Sequence, residues 1–383
     1  MVYETPIHIV AACRSPIGRF EGGLKNFTAP ELASHTAEAI VPEALRPHID
    51  QVILGQILQA GAGMNTARQV GLKLGIPQAT PAFTVNMVCG SGLKAVALGV
   101  DAIAQGEASL VLAGGVESMS NAPHYAIDAR FGKKLGEPRL RDTILTDGLS
   151  DPLLQRGMGD IAGELACEYG ISRGEQDEFA LQSQQRAAAA REAFAREIMP
   201  VGEVEADEHP RPDTTLEKLA SLAPAFDKEG TITAGNASGI NDGAATVLLA
   251  NDAALAGHPL ESRARIIGAT ALGCDPARFG LGPVGAVQSL CEQTGWDLAR
   301  VDAVEINEAF AVQTIACARD LGLSDAQLNP RGGAIALGHP IGASGTRILV
   351  TLLHHLEDNN VKRGIATLCV GGGMGIAMAI EQG

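Results

Sequence analysis

Aromatic residues are scarce in this chain: Phe, Tyr and Trp make up 3% of its 383 residues, with a single tryptophan. The 46% hydrophobic content is therefore carried mainly by Ala, Val, Leu and Ile. Small side chains let elements approach closely, which suits layered α/β structures. No run of Lys or Arg interrupts a net charge of −15, so nucleic acid and anionic membranes are excluded as main partners. An anionic small ligand would need a local positive site, such as a helix N-terminus. No stretch approaches the roughly 20 apolar residues of a membrane span. Met1 to Pro6 has neither the basic nor the apolar region of a secretion signal, and the expected location is the cytoplasm. The seven cysteines (Cys13, Cys89, Cys167, Cys274, Cys291, Cys317 and Cys369) are odd in number and never at Cys-x-x-Cys spacing. That pattern argues against a zinc site and a disulfide framework, and it fits a reducing compartment.

What the chain does have is regular alternation. Ile7–Ala11, Val52–Leu54 and Leu110–Val116 read as strands, with helices predicted over 31–45 (Pro30 at the first helical position), from the Asn65 cap to Leu74, and over Leu93–Gln105. Strands alternating with helices indicate a parallel sheet covered on both faces. From about Ser118 the texture changes: Gly, Pro and charge increase, and two helical patterns (160–169 and 174–195) precede the acidic loop Glu205–Thr215. The stretch Phe226–Gly243 is dense in turn residues, as ligand-contacting loops on a rigid scaffold are. Alternation resumes at Arg265–Ala269. Three segments of the first part recur in the same order in the last part, at an offset of ~250 residues, which marks a duplicated unit. Ile49–Gly55 is answered by Val301–Asn307, Val88–Lys94 by Ile341–Arg347, and Leu112–Gly115 by Cys369–Gly372.

Four motifs carry chemistry, three of them rich in glycine. In Val88-Cys89-Gly90-Ser91-Gly92, a strand turns sharply into a helix whose first turn carries Cys89, and the helix dipole and free N–H groups there favour a thiolate. Gly338-His339-Pro340-Ile341-Gly342-Ala343-Ser344-Gly345 sets a histidine in a tight loop before a helix. Cys369-Val370-Gly371-Gly372-Gly373 puts a cysteine at the end of a short strand, followed by N–H groups that could hold an oxyanion. Asn307-Glu308-Ala309-Phe310 puts an amide at a strand-to-helix turn. Each has a bland alternative: a buried inert thiol, a packed loop histidine, a structural cysteine, a helix cap. Four such motifs at strand ends of one duplicated fold make independent structural roles a poor explanation.

Together with Ala113-Gly114-Gly115-Val116-Glu117-Ser118-Met119, these motifs resemble the thiolase family, specifically its short-chain, biosynthetic type, over essentially the whole chain. The resemblance implies duplicated βαβαβαββ halves in a five-layer α-β-α-β-α arrangement, with a loop subdomain inserted in the first half. The expected boundaries are 1–118 plus 244–262, an inserted coenzyme A-binding subdomain at 119–243, and a second half at 263–383. It implies Cys89 as the nucleophile that takes the acetyl group and His339 as the base that draws off its proton and later helps hold a thioester oxygen. Cys369 is implied as the acid/base at the α-carbon and Asn307 as the holder of a water in that oxyanion hole. The N–H groups of Cys89 and Gly371 would form the second hole. The implied coenzyme A contacts are Ser238, Ala234 and Phe226, with Leu149, Ala309 and Phe310 nearby and Arg211 against the adenine. Met158 resembles the methionine that limits acyl length, but Gly157 stands where short-chain members usually have histidine. No metal or resident cofactor is implied: acetyl-CoA, acetoacetyl-CoA and CoA are substrates and products. The stretch near Phe131 to Leu140 resembles a tetramerisation loop, so a homotetramer is expected. Three alternatives remain at this point: a degradative 3-ketoacyl-CoA thiolase for longer chains, a carrier-protein ketosynthase, and a non-catalytic acyl-CoA-binding protein. The cysteine at 369, where ketosynthases commonly have histidine, disfavours the second.

Overall fold

The computed structural model describes residues 5–383. The first half contributes strands β1 (Ile7–Arg14), β2 (Gln51–Gly55), β3 (Ala82–Val85), β4 (Leu110–Ser118) and β5 (Asn241–Asn251), with helices α1 (Ala29–Ile40), α2 (Thr66–Lys73) and α3 (Ser91–Ala104) between them. Between β4 and β5 the chain leaves the sheet and forms α4 (Met158–Tyr169) and α5 (Arg173–Ala189). The second half contributes β6 (Ala264–Gly273), α6 (Gly282–Thr294), β7 (Ala303–Ile306), α7 (Ala311–Leu321), α8 (Ile341–Asn359), β8 (Arg363–Val370) and β9 (Met374–Glu381).

The two halves repeat one topology. Strand order is β3-β2-β4-β5-β1 in the first and β7-β8-β9-β6 in the second, with a parallel bridge from Val304 to Leu328 standing in the place of β3. In both, the pairs at the outer edge (β3-β2-β4 and β7-β8) are parallel, and those toward the other half (β4-β5-β1 and β8-β9-β6) are antiparallel. The sheets are thus mixed, where alternation alone predicts parallel, because the strands that follow β4 and β8 run back antiparallel to them. They meet edge to edge at His8–Arg265 and Ile9–Ala264.

Strand period explains the layering. In β4, Val111 and Ala113 face a central cluster, whereas Leu110 and Leu112 face an outer one with Leu32 of α1 and Val70 of α2. In β9, Met378 and Ile380 face the centre, and Ala377 and Ala379 face Val287 and Leu290 of α6. The centre is filled by α3 (Leu93, Val96, Val100) and α8 (Ile348, Leu352, Leu356), which gives the five layers α-β-α-β-α. A helix between two sheets has no solvent face, hence the buried run from Ile341 to His354.

Close approach across the halves needs glycine at one place above all. A Cβ at Gly115 would lie 2.0 Å from the Gly342 carbonyl oxygen at the start of α8. Gly115→Ala is expected to lower stability by about 3 kcal/mol, since β4 and α8 must separate. Urea unfolding monitored through Trp296 checks it, and an unchanged midpoint would place the two backbones further apart than described here.

The segment between β4 and β5 is bound back to the first half by charge. Arg14, wholly buried, holds Glu197 at 2.6 Å and pairs with both oxygens of Asp207 at 2.6 and 3.0 Å. The strand β5 begins at Asn241, so three residues of the expected insertion lie in the sheet. A two-stranded hairpin (His124–Ala126 with Leu140–Asp142) presents Phe131 and Leu135 to solvent, both about nine-tenths exposed (91% and 90%). The long helix expected over 174–195 is broken into Arg173–Ala189 and Arg191–Phe194. The 31–45 helix likewise stops at Ile40, and a 3-10 turn follows.

Candidate active site

The carboxyl ends of β3, β7 and β8 deliver Cys89, Asn307 and Cys369 to one place, and the loop before α8 adds His339. Cys89, His339, Cys369 and Gly371 line a single cavity of about 50 Å³, with Leu149, Met158, Ser238, Ala309 and Phe310 in its wall. This is the crevice position that open α/β sheets use for ligands.

The turn at Cys89 is held under strain. Val88, a β-branched residue, has φ +43°, and Ser91 bolts the turn by donating from Oγ to the Val88 carbonyl (2.7 Å) and accepting from Met87 N–H (2.8 Å). α3 starts at Ser91 behind the Gly90 cap, so Cys89 precedes the first turn. The expected thiolate is also overturned. Burial pushes the Cys89 thiol up to about 11, against the N–H groups of Gly371 and of Cys89 itself, which pull it down. The charge on Glu117 adds to the rise. Desolvation outweighs the helix terminus because a thiolate here has no cation beside it. Cys369 is raised further, by burial first and then by Cys89.

His339 is neutral for the complementary reason: burial, then Arg347, lower it to about 3. Its tautomer follows from the network. Ser344 Oγ donates to the Pro340 carbonyl (2.9 Å), so it accepts from His339 Nδ1–H (2.5 Å), which leaves Nε2 as the acceptor. Asn307 Nδ2 stands 3.5 Å from that Nε2, and Asn307 Oδ1 is buried with no protein partner. Asn307 is not a helix cap: α7 is capped by Phe310. The β8 strand is eight residues long rather than short, and Gly371–Gly373 form the tight loop into β9. The resting site is thus a protonated thiol, a neutral imidazole and a second protonated thiol around one small space, with two backbone donors on Cys89.

Of the expected coenzyme A contacts, Leu149, Met158, Ser238, Ala309 and Phe310 line the Cys89 cavity. Phe226 adjoins it, edge-on to Phe310 at 6.0 Å. Arg211 and Ala234 lie elsewhere, in a depression of about 230 Å³ that also has His209 and Lys218 in its wall. Two carboxylates were missed as supports. Glu117 accepts from the N–H groups of Ile57, Leu58 and Gly342 at 3.0–3.1 Å, and burial raises it to about 7. Glu308 accepts from Ser183, Asn329 and Ile335. Both stand inside recognised motifs, but nothing in the sequence told a buried anchor from a solvated charge. Among the described residues no group of three or more His, Cys, Asp or Glu is placed to hold a metal ion, and no helix is long and apolar enough to cross a membrane.

This duplicated fold with a cysteine, an imidazole and a second cysteine at its strand ends defines a class, and the chain belongs to it: the thiolase family. Residues 7–253 match the thiolase N-terminal domain and residues 260–382 the thiolase C-terminal domain. An acetyl-CoA acetyltransferase of Chromobacterium violaceum is 49% identical, over 98% of this chain and 99% of that protein. Among solved structures, human mitochondrial 3-ketoacyl-CoA thiolase in complex with CoA superposes with a TM-score of 0.97 at 44% identity, over 100% of this chain and 99% of that one. The acetyl-CoA acetyltransferase of Bacillus anthracis gives 0.96 at 41% identity, over the whole of both chains.

Proposed function

We propose that the protein is an acetyl-CoA C-acetyltransferase, condensing two acetyl-CoA reversibly to acetoacetyl-CoA and CoA through an acetyl-Cys89 intermediate. The observation that carries this reading is the convergence of Cys89, His339, Cys369 and Gly371 on one cavity. His339 Nε2 takes the Cys89 proton as sulfur attacks the thioester carbonyl, because neither group is charged at rest. The N–H groups of Cys89 and Gly371 receive the oxyanion, and CoA leaves protonated. The Cys369 thiol gives its proton to the departing CoA and, as a thiolate, removes the α-proton of the second acetyl-CoA, with protonated His339 and a water on Asn307 holding the enolate oxygen. The carbanion then attacks acetyl-Cys89 and releases the thiol. Splitting the reaction this way predicts ping-pong kinetics.

The size of the cavity supports a short acyl group. At about 50 Å³ the free space beside the thiol is small. Met158 closes it against Gly371, whose added Cβ would be 3.7 Å from the methionine sulfur. The depression with Arg211, His209 and Lys218 suits the phosphate-bearing end of coenzyme A. Residues 119–243 then act as the coenzyme A-binding subdomain between halves 1–118 plus 244–262 and 263–383. No resident cofactor or metal enters this mechanism. The exposed apolar hairpin tip supports assembly to a homotetramer, and the acidic chain fits the cytoplasm.

One observation favours a second reading. Gly157 leaves the approach to Met158 without the histidine side chain of short-chain members, as a 3-ketoacyl-CoA thiolase for longer chains would have it. Thiolysis rates across acyl lengths decide between them. Acetoacetyl-CoA is expected to exceed 3-ketoacyl-CoA substrates of 8–16 carbons by about 100-fold, since each misplaced methylene costs about 1–3 kcal/mol. A preference for the long chains would overturn the acetyltransferase reading.

A further inference from the structure

Asn241, the first residue of β5, is wholly buried and joins three parts of the chain through one amide. Its Oδ1 accepts from His339 N–H at 3.0 Å, in the second half. Its Nδ2 donates to the Gly18 carbonyl at 2.9 Å, in the first half, and reaches His209 Nδ1 at 3.4 Å, in the inserted segment. Its own N–H points at Met119 Sδ, 3.4 Å away. One acceptor and two donors are needed at this point, and of the side chains of this size only a carboxamide supplies both. The Gly18 carbonyl can only accept, which settles which end of the amide is nitrogen.

The histidine loop is built around that amide. Gly338 has φ +104°, and a Cβ on it would fall 2.5 Å from Asn241 Cγ. Ser344 pins the imidazole from within α8, and Asn241 pins the backbone of the same residue from the opposite half. Without the second hold, the ring would swing with the loop while its bond to Ser344 stayed intact. The base must lie within hydrogen-bond reach of the thiol, and a displacement of about 1 Å costs about 100-fold in rate.

We propose that Asn241 is a positioning residue for His339, the first half's hold on the second half's base. The role assigned to His339 rests on the function proposed above. The experiment therefore includes a readout that needs no turnover: the rate at which iodoacetamide alkylates Cys89, located by peptide mass spectrometry. Asn241→Ala is expected to cut kcat for acetoacetyl-CoA thiolysis about 10- to 100-fold with KM within about threefold, and to slow Cys89 alkylation about tenfold.

Asn241→Asp separates positioning from mere stability. Its ionised carboxylate sets two acceptors against each other at the Gly18 carbonyl, whereas its protonated form donates there as the amide does. The titratable and charged groups around this point are His209, which burial lowers to about 4, with Arg211, Asp207 and Glu208 from the inserted segment, Arg19 beside Gly18, Asp242 of β5, Glu117 of β4 and Arg347 of α8. The ratio of Asn241→Asp to wild-type rate should be highest at acid pH and fall as pH rises through the carboxyl's ionisation, in kcat and in alkylation alike. If Asn241→Ala does not fold, the acid-side rescue of Asn241→Asp decides. Wild-type kcat and alkylation rates in Asn241→Ala, or a flat ratio in Asn241→Asp, would overturn the proposal. Alkylation decides it even if the wild type fails to cleave acetoacetyl-CoA, a failure that would count against the proposed reaction alone.

Discussion

Cys89→Ala is expected to lower acetoacetyl-CoA thiolysis by about a million-fold and to leave no acetylated peptide after incubation with labelled acetyl-CoA. A covalent nucleophile acts as one unit with its base, so deleting it removes nearly the whole catalytic effect rather than a share of it. The oxyanion donors remain, because the backbone N–H groups of residue 89 and of Gly371 do not depend on the thiol, yet no sulfur is left to accept the acyl group. Stability should change little or improve: the side chain is small, and the strain at Val88 belongs to the backbone. Mass spectrometry of the tryptic peptides checks the first half-reaction directly. Label on any other residue, or turnover within 100-fold of wild type, would remove Cys89 from the role of nucleophile.

Cys369→Ala divides the two half-reactions instead. Acetyl-Cys89 should still form from acetyl-CoA, since the thiol, its base and both backbone donors are untouched. Condensation should fall by about 100- to 10,000-fold, the usual worth of a positioned acid/base. The α-proton of a thioester is weakly acidic, and no other titratable side chain in the cavity wall is free to remove it: His339 is engaged at the enolate oxygen. Burst labelling compared with steady-state acetoacetyl-CoA formation measures the two halves separately. Equal loss of both would mean that acylation depends on the second thiol as heavily as condensation does.

Much of this protein was legible in its sequence. Residues 110–116 read as a central strand because a two-faced strand must be apolar on both sides, and Leu110, Val111 and Leu112 turn out to serve two different cores. The repeat of Val88–Lys94 in Ile341–Arg347 identified the duplication, and α3 and α8 lie together in the central layer. Cys89, His339 and Cys369 could be picked out because reactive residues in glycine-rich turns are uncommon, and Asn307 because it ends a strand of the repeat. Asn241 and Glu117 were not assigned roles. A buried amide and a buried carboxylate look like any surface Asn or Glu until the partners from distant segments are known.

The limit lies in where the relevant physics is local. By itself the chain determined its α/β class and its duplication and singled out the candidate reactive groups, since strand period, turn chemistry and motif spacing act over a few residues. Only the tertiary structure decided that the site rests uncharged. A helix terminus near Cys89 is a local feature and argues for a thiolate, whereas the burial that pushes the thiol up to about 11 and holds His339 at about 3 is assembled from both halves. Desolvation depends on everything packed around a group, and no stretch of sequence carries that sum.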